Sequence, residues 1–169
     1  MSKRLFDWIL SSLGLLVLGP VLILVALAIK LDSPGPVFFR QERVGRWGHP
    51  FWIHKFRTMR HDPVGRGLQI TVGQDARITR VGGFLRASKI DELPQLIDVW
   101  VGTMSLVGPR PEVPRYVAVY PPELRDKILS VRPGITDIAS IEYRDESAVL
   151  ARAADPEQAY LHEVLPHKL

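Results

Sequence analysis

Two adjacent carboxylates, Asp91 and Glu92, fall where a helix is expected to begin, and they are the first candidates for chemistry in this sequence. Ser88-x-x-Asp91 also matches a capping box, and acidic residues are common in a first helical turn, so the pair has an ordinary structural explanation. The chemical explanation divides the work. One carboxylate attacks or takes a proton, and the other holds a divalent cation through hard oxygen contacts. A helix N-terminus also favours bound phosphate. Two carboxylates beside an anionic substrate need counter-charge, so the nearby cations are the test. Arg57 lies in Lys55-Phe56-Arg57-Thr58-Met59, Arg86 shortly precedes the pair, and Arg110 stands between Pro109 and Pro111. A guanidinium donates two hydrogen bonds at once, which suits phosphate, and the flanking prolines preset the backbone of Arg110. Each arginine alone reads as a solvated surface residue. Together with the carboxylates they read as a phosphate site.

Other chemistries find less support. The sequence has no cysteine, which excludes disulfides and thiolate zinc sites. His49, His54 and His61 lack the i, i+4 spacing of a helical zinc pair, and His162 and His167 lack it too. There is no G-x-x-x-x-G-K-[ST] loop and no G-x-S-x-G elbow. Gly65-x-Gly67 is an ordinary loop signal. The net charge of +4 and pI near 9.6 favour anionic partners, whether nucleic acid, phosphorylated ligand or an anionic membrane face. The basic stretch from Arg40 to Arg66 contains Phe51, Trp52 and Phe56, but these fit hairpin core positions better than a nucleic-acid surface, so no nucleic acid is expected.

The elements that must hold these residues begin with an apolar block. The chain has 169 residues, enough for one domain with a core. No ionisable side chain occurs from Trp8 to Ile29, and about 20 apolar residues suffice for a helix to cross the hydrocarbon of a bilayer. Asp7 interrupts the basic start at Lys3 and Arg4, and no small-x-small site follows, so a retained segment is expected in place of a cleaved signal. Gly19-Pro20 lies at its middle, where proline is expected to kink a helix. Basic residues flank both ends, Lys3 and Arg4 before and Lys30, Arg40 and Arg43 after, so the positive-inside rule does not choose an orientation. A simple span and a re-entrant segment with both ends in the cytoplasm both stand on these grounds.

Asp32-Ser33-Pro34-Gly35-Pro36 ends that helix. Strands are expected over 37–41 and 51–56 as a hairpin, then a loop over 60–75. A helix over 77–86 should be interrupted at Gly82-Gly83. The next helix starts near Asp91, with Leu93, Ile97, Trp100 and Val101 at helical spacing, Pro94 in its first turn and Gly102 as its stop. Residues 105–111 are extended and proline-locked. A short helix covers 121–131, a turn 132–136, a strand 138–143, and an amphipathic helix starts at Asp155. The fold class is mixed α and β, a small α/β (α+β) domain behind a membrane anchor.

Five ordered segments make the sequence resemble the monotopic phosphoglycosyl transferases, or bacterial sugar transferases. They are Phe38-Phe39-Arg40-Gln41-Glu42-Arg43-Val44-Gly45, Lys55-Phe56-Arg57-Thr58-Met59, Ile90-Asp91-Glu92-Leu93-Pro94-Gln95-Leu96, Met104-Ser105-Leu106-Val107-Gly108-Pro109-Arg110-Pro111-Glu112 and Val131-Arg132-Pro133-Gly134-Ile135-Thr136. The resemblance implies transfer of a phosphosugar from a UDP-sugar to polyprenol (undecaprenyl) phosphate, with release of UMP, as the first membrane step of glycoconjugate assembly. It implies Asp91 as the nucleophile that forms an aspartyl phosphosugar, Glu92 as the ligand of Mg²⁺, and Arg57, Arg86, Arg110 and Arg132 as phosphate- or nucleotide-binding residues. It also implies a re-entrant helix-break-helix over residues 1–31, broken near Gly19-Pro20, and a cytoplasmic catalytic domain over 32–169 with interfacial amphipathic helices. The expected location is the bacterial inner membrane, with the active site on its cytoplasmic face. Expected partners are a UDP-sugar, polyprenol phosphate and bilayer lipid, with a homodimer left open.

The sequence departs from the family pattern after Thr136. Many members continue Gly-x-Ala-Gln, whereas this chain reads Asp137-Ile138-Ala139-Ser140, so the sugar does not follow from the resemblance. With no long N-terminal extension, a minimal catalytic unit is expected. The competing reading is a non-catalytic, membrane-anchored basic adaptor for anionic lipid or an acidic partner. Such an adaptor needs positive charge but no Asp-Glu pair. A polytopic transferase needs several apolar segments, and the sequence offers one.

Overall fold

Long unbroken apolar sequence builds the first element, α1, a helix that runs from Ser2 to Asp32 with Pro20 inside it. The computed structural model describes residues 2–60, 75–137, 150, 152–153 and 155–168. The loop expected over 60–75 lies almost wholly outside them, and the strand expected over 138–143 does so entirely. Alternating residues then form the antiparallel hairpin of β1, Phe38–Val44, and β2, Pro50–Phe56, in the register Phe38↔Phe56 to Val44↔Pro50. Its connection carries Trp47 and Gly48 at positive φ, 61° and 79°.

Helix α2 runs from Arg80 to Ser88 and is continuous through Gly82-Gly83, contrary to the expected interruption. Thr79 caps it by accepting the Gly82 N–H. Gly82 is required for contact, because a Cβ there would lie 2.0 Å from the Thr58 carbonyl oxygen. A 3-10 turn over Ile90–Glu92 leads into α3, Gln95–Val101, with Pro94 at its N-cap and Gly102 at its left-handed C-cap. β3, Ser105–Val107, pairs in parallel with β4, Gly134–Thr136. The turn expected over 132–136 is therefore largely a strand. Gly108 and Gly134 pack so closely that a Cβ on Gly134 would meet the Gly108 nitrogen at 2.1 Å. Between these strands lie α4, Pro114–Val117, and α5, Pro122–Leu129. The chain closes with α6, Pro156–Ala159, a π-helical turn over Tyr160–Val164, and α7, Leu165–Lys168.

Three apolar clusters hold these elements. Phe51, Ile53, Val99 and Met104 join the hairpin to α3. Ile29, Phe56 and Leu85 join the end of α1 to the hairpin and α2. Tyr116, Val117, Tyr120, Tyr160, Val164 and Leu165 belong to the third cluster, under the C-terminal helices. Each such side chain, when fully buried, contributes roughly 1.5–3 kcal/mol by leaving water.

Both ends of α1 are tied to this domain. Near its start Asp7, 3% exposed, accepts the Ser105 hydroxyl at 2.8 Å and the Leu106 N–H at 3.2 Å. Arg4 donates to the carbonyls of Val99 and Trp100 at 2.5 and 2.8 Å. Near its end Ile29 is buried against Phe56 and Leu85. The helix is long and apolar enough to cross a membrane, and only 6% of its most apolar window is buried. A core helix of a water-soluble domain would be mostly covered, whereas this one needs an apolar medium.

Candidate active site

The link between α2 and α3 sets the carboxylate pair. Lys89 adopts left-handed backbone, φ 59°, which ends α2 and starts the 3-10 turn that carries Asp91 and Glu92. The expected capping box does not form. The Ser88 hydroxyl donates backward to the carbonyls of Phe84 and Leu85, and no side chain caps the turn. The capping explanation for Asp91 is thereby removed. Asp91 is buried, 2% exposed, and its Oδ1 has no hydrogen-bond partner. A buried carboxylate oxygen without a partner is costly in a fold.

Two cations face the pair. Lys55, on β2, places its Nζ 3.0 Å from Asp91 Oδ2 and 3.1 Å from Glu92 Oε1. Arg110 donates through Nη2 to Glu92 Oε1 at 2.7 Å and through Nη1 to Oε2 at 3.4 Å. Burial pushes the Glu92 carboxyl up, but the charges of Arg110 and Lys55 and the hydrogen bonds from both overcome it and hold the group well below the ordinary carboxylate range. Lys55 lies in the family-like segment Lys55-Phe56-Arg57-Thr58-Met59 but is not among the site residues that the resemblance implies. Its signal was its place beside the buried Phe56 in a strand, and only the strand-to-helix packing aims it at the carboxylates.

The backbone around Arg110 is held from two sides. Its N–H donates to Asp137 Oδ2 at 2.9 Å, and Gly134 N–H donates to the Pro109 carbonyl at 2.9 Å. On the other side Arg43 donates to the Pro111 carbonyl at 3.0 Å, and Val44 N–H donates to the Glu112 carbonyl at 2.9 Å. Burial lowers the Arg43 pKa, with Glu112 opposing. Glu112 also accepts the Tyr160 hydroxyl at 2.5 Å, which ties this segment to the C-terminal helices.

The remaining arginines are spread out. Arg57 is 5% exposed and its guanidinium donates to the carbonyls of Pro34, Ser33 and Ile29, where it clasps the end of α1. Arg132 donates through Nε to the Gly102 carbonyl at 2.7 Å, at the end of α3. The structure thus gives both a backbone-holding task. Arg86 is half-buried; its carbonyl accepts the Lys89 N–H at 3.2 Å, and its charge acts on Asp75. Among the histidines, His54 pairs with Asp98, His49 is exposed, and His162 contacts Gln158.

No group of three or more potential metal ligands occurs among the described residues. An all-protein cage is therefore absent from them, but Mg²⁺ is ordinarily held by one or two carboxylates together with substrate phosphates and water. The pair fits that mode. Asp91 Oδ1 is an acceptor without a partner, and Glu92 Oε2 has only the long contact to Arg110. The charges of Asp91 and Glu92 are matched by those of Lys55 and Arg110, so a phosphate ligand would bring uncompensated negative charge.

A family model described as "Bacterial sugar transferase" matches residues 1–165. The chain belongs to the bacterial sugar transferase family. It is 43% identical over 158 residues to a UDP-glucose:undecaprenyl-phosphate glucose-1-phosphate transferase of Xanthomonas campestris pv. campestris, covering 88% of this chain and 32% of the relative. It is 44% identical over 152 residues to the protein of the same name from Caulobacter vibrioides, covering 83% of this chain and 54% of the relative. A UDP-N-acetylgalactosamine-undecaprenyl-phosphate N-acetylgalactosaminephosphotransferase of Aeromonas hydrophila is 40% identical over 141 residues, covering 82% and 33%. The chain thus spans from about a third to just over half of the length of these relatives.

Proposed function

We propose that this bacterial sugar transferase family member moves a phosphosugar from a UDP-sugar to polyprenol phosphate, releasing UMP. The observation that carries the reading is the state of Asp91. Lys55 holds Oδ2, while Oδ1 is buried and has no hydrogen-bond partner, and we assign the attack to Oδ1. In the first step Asp91 Oδ1 attacks the β-phosphorus. The new O–P bond forms as the bond from that phosphorus to the bridging oxygen breaks, and UMP leaves with the electron pair. In the second step a phosphate oxygen of the polyprenol phosphate attacks the aspartyl phosphosugar, and the Asp91 carboxylate is released. Lys55 and Arg110 orient the two carboxylates, and Arg86 is the proposed counter-charge for the diphosphate, since oriented cations of this kind stabilise a phosphoryl transition state. Arg57 and Arg132 serve this site from behind, by fixing the ends of α1 and α3. Glu92 is the proposed ligand of Mg²⁺, which when bound neutralises charge on the diphosphate.

The membrane reading extends this. We place α1 in the bacterial inner membrane as a re-entrant segment bent at Pro20, with the catalytic domain on the cytoplasmic face. A helix of 31 residues is about 46 Å long, against about 30 Å of hydrocarbon. The attachment of both its ends to one domain supports entry and exit on the same side. The relatives' names give glucose and N-acetylgalactosamine, so the test starts with UDP-glucose and UDP-N-acetylgalactosamine. UMP release from a UDP-sugar, in the presence of polyprenol phosphate and Mg²⁺, is expected for the wild type and abolished in Asp91→Asn. Undiminished release by that variant refutes the nucleophile.

A further inference from the structure

His54 is tied into the machinery through Asp98. Asp98 lies on α3, 4% exposed, on the same helical run as Asp91 and Glu92. It accepts twice from one residue of β2. The His54 backbone N–H donates to Oδ2 at 2.9 Å, and the ring Nδ1–H donates to Oδ1 at 2.7 Å. Arg40 faces the ring's Nε2 from β1, which leaves Nδ1 as the nitrogen carrying the proton. Phe38 lies edge-on to the same ring at 6.0 Å. His54 is therefore held by Asp98, Arg40 and Phe38, and the backbone N–H on the open edge of β2 is satisfied at this point by a side chain in place of a strand. The next residue is Lys55.

We propose that Asp98 and His54 are positioning residues that fix Lys55 between Asp91 and Glu92. The proposal rests on the transferase reading only for its consequence in catalysis. Two consecutive strand residues are attached to one helical run at points about 10 Å apart along its axis. One attachment is His54 to Asp98, and the other is Lys55 to the carboxylate pair. Releasing the first lets β2 slide or tilt against α3, and the Lys55 ammonium moves with it. Lys55 selects which oxygen of Asp91 is free, so a shift of the ammonium lets the carboxylate rotate away from its attacking geometry. Misplacement by about 1 Å can cost on the order of a hundredfold in rate.

The test uses the full chain in detergent micelles and two readouts. The first is acylation of Lys55 by acetic anhydride, followed by mass spectrometry with the other lysines as internal controls. The second is steady-state UMP release. Asp98→Ala and His54→Leu are expected to speed acylation of Lys55 severalfold and to lower kcat about tenfold or more, with KM for the UDP-sugar within about threefold. His54→Asn keeps an N–H where Nδ1–H lies and is expected to restore both readouts, although it fills less space than leucine. In a Lys55→Met background Asp98→Ala should cost nothing further in kcat, because the two act as one unit. Unchanged acylation in Asp98→Ala overturns the proposal, as does a rescue by leucine and not by asparagine. Should the wild type release no UMP from any UDP-sugar, the transferase reading falls, and the acylation rates still decide the role of Asp98.

Discussion

At the scale of single residues, the site is a compact set of charges whose order matters more than its sum. Asp91 and Glu92 are adjacent in sequence but not in situation. Asp91 is deeply buried with one oxygen unpartnered, whereas Glu92 is held by both Lys55 and Arg110. That arrangement has a consequence for stability. The Glu92 pKa is lowered in the folded protein, so the unfolded chain binds the proton more readily at acid pH. The stabilisation is complete above the ordinary glutamate pKa, about 4.3, and is lost as pH falls below it toward the folded value. Glu92→Gln should therefore flatten the acid limb of a stability–pH curve between about pH 4 and 2, measured by thermal unfolding. An acid limb as steep as in the wild type would contradict the pairing. The same variant should lose transferase activity, since Glu92 is the proposed metal ligand.

At the scale of elements, close backbone contact decides where the carboxylates stand. Helix α2 approaches the end of the hairpin strand through Gly82, which rests on the Thr58 carbonyl. The helix then turns at Lys89 and delivers the pair. Gly82→Ala has no room for its methyl group, and Thr58 offers backbone, which cannot swing aside. The substitution should destabilise the protein by roughly 1–3 kcal/mol, seen as a fall in Tm, and lower UMP release per folded molecule as the turn shifts. A variant with unchanged Tm would show that α2 does not bear on Thr58. The hairpin and the following helices were legible because alternation, glycine and proline mark them. The parallel pairing of β3 with β4 was not, since Gly134-Ile135-Thr136 is too short to show a period and is preceded by a turn signal.

At the scale of the whole molecule, the question is how α1 meets the bilayer. Asp7 and Arg4 bind its first turns to β3 and α3, and Arg57 clasps its last turn. The sequence has no cysteine, so single cysteines label cleanly. Ser2→Cys and Pro36→Cys should both react with a membrane-impermeant maleimide only from the cytoplasmic side. Reaction on opposite sides would make α1 a simple span. Asp7 illustrates the gap between sequence and structure at this scale. In the sequence it is a charge that spoils a signal peptide, and in the fold it is a buried anchor.

The sequence by itself determined the class of the protein. A run without ionisable side chains requires an apolar medium, and five ordered segments with their glycines, prolines and charges carry the family, the carboxylate pair and Arg110. These are local signals, readable because each is contiguous. The tertiary structure decided the partners. Ser88-x-x-Asp91 has the spacing of a cap, but the left-handed Lys89 turns Ser88 away. Arg57 and Arg132 have the chemistry of phosphate ligands, but packing sets them against the carbonyls at helix ends. The sequence does not show what Lys55 and Asp98 face, and it is the packing of β2 beside α3 that brings one to the carboxylates and the other to His54. Charge and hydrogen-bonding capacity belong to residue types, whereas which groups meet depends on contacts between segments far apart in the chain.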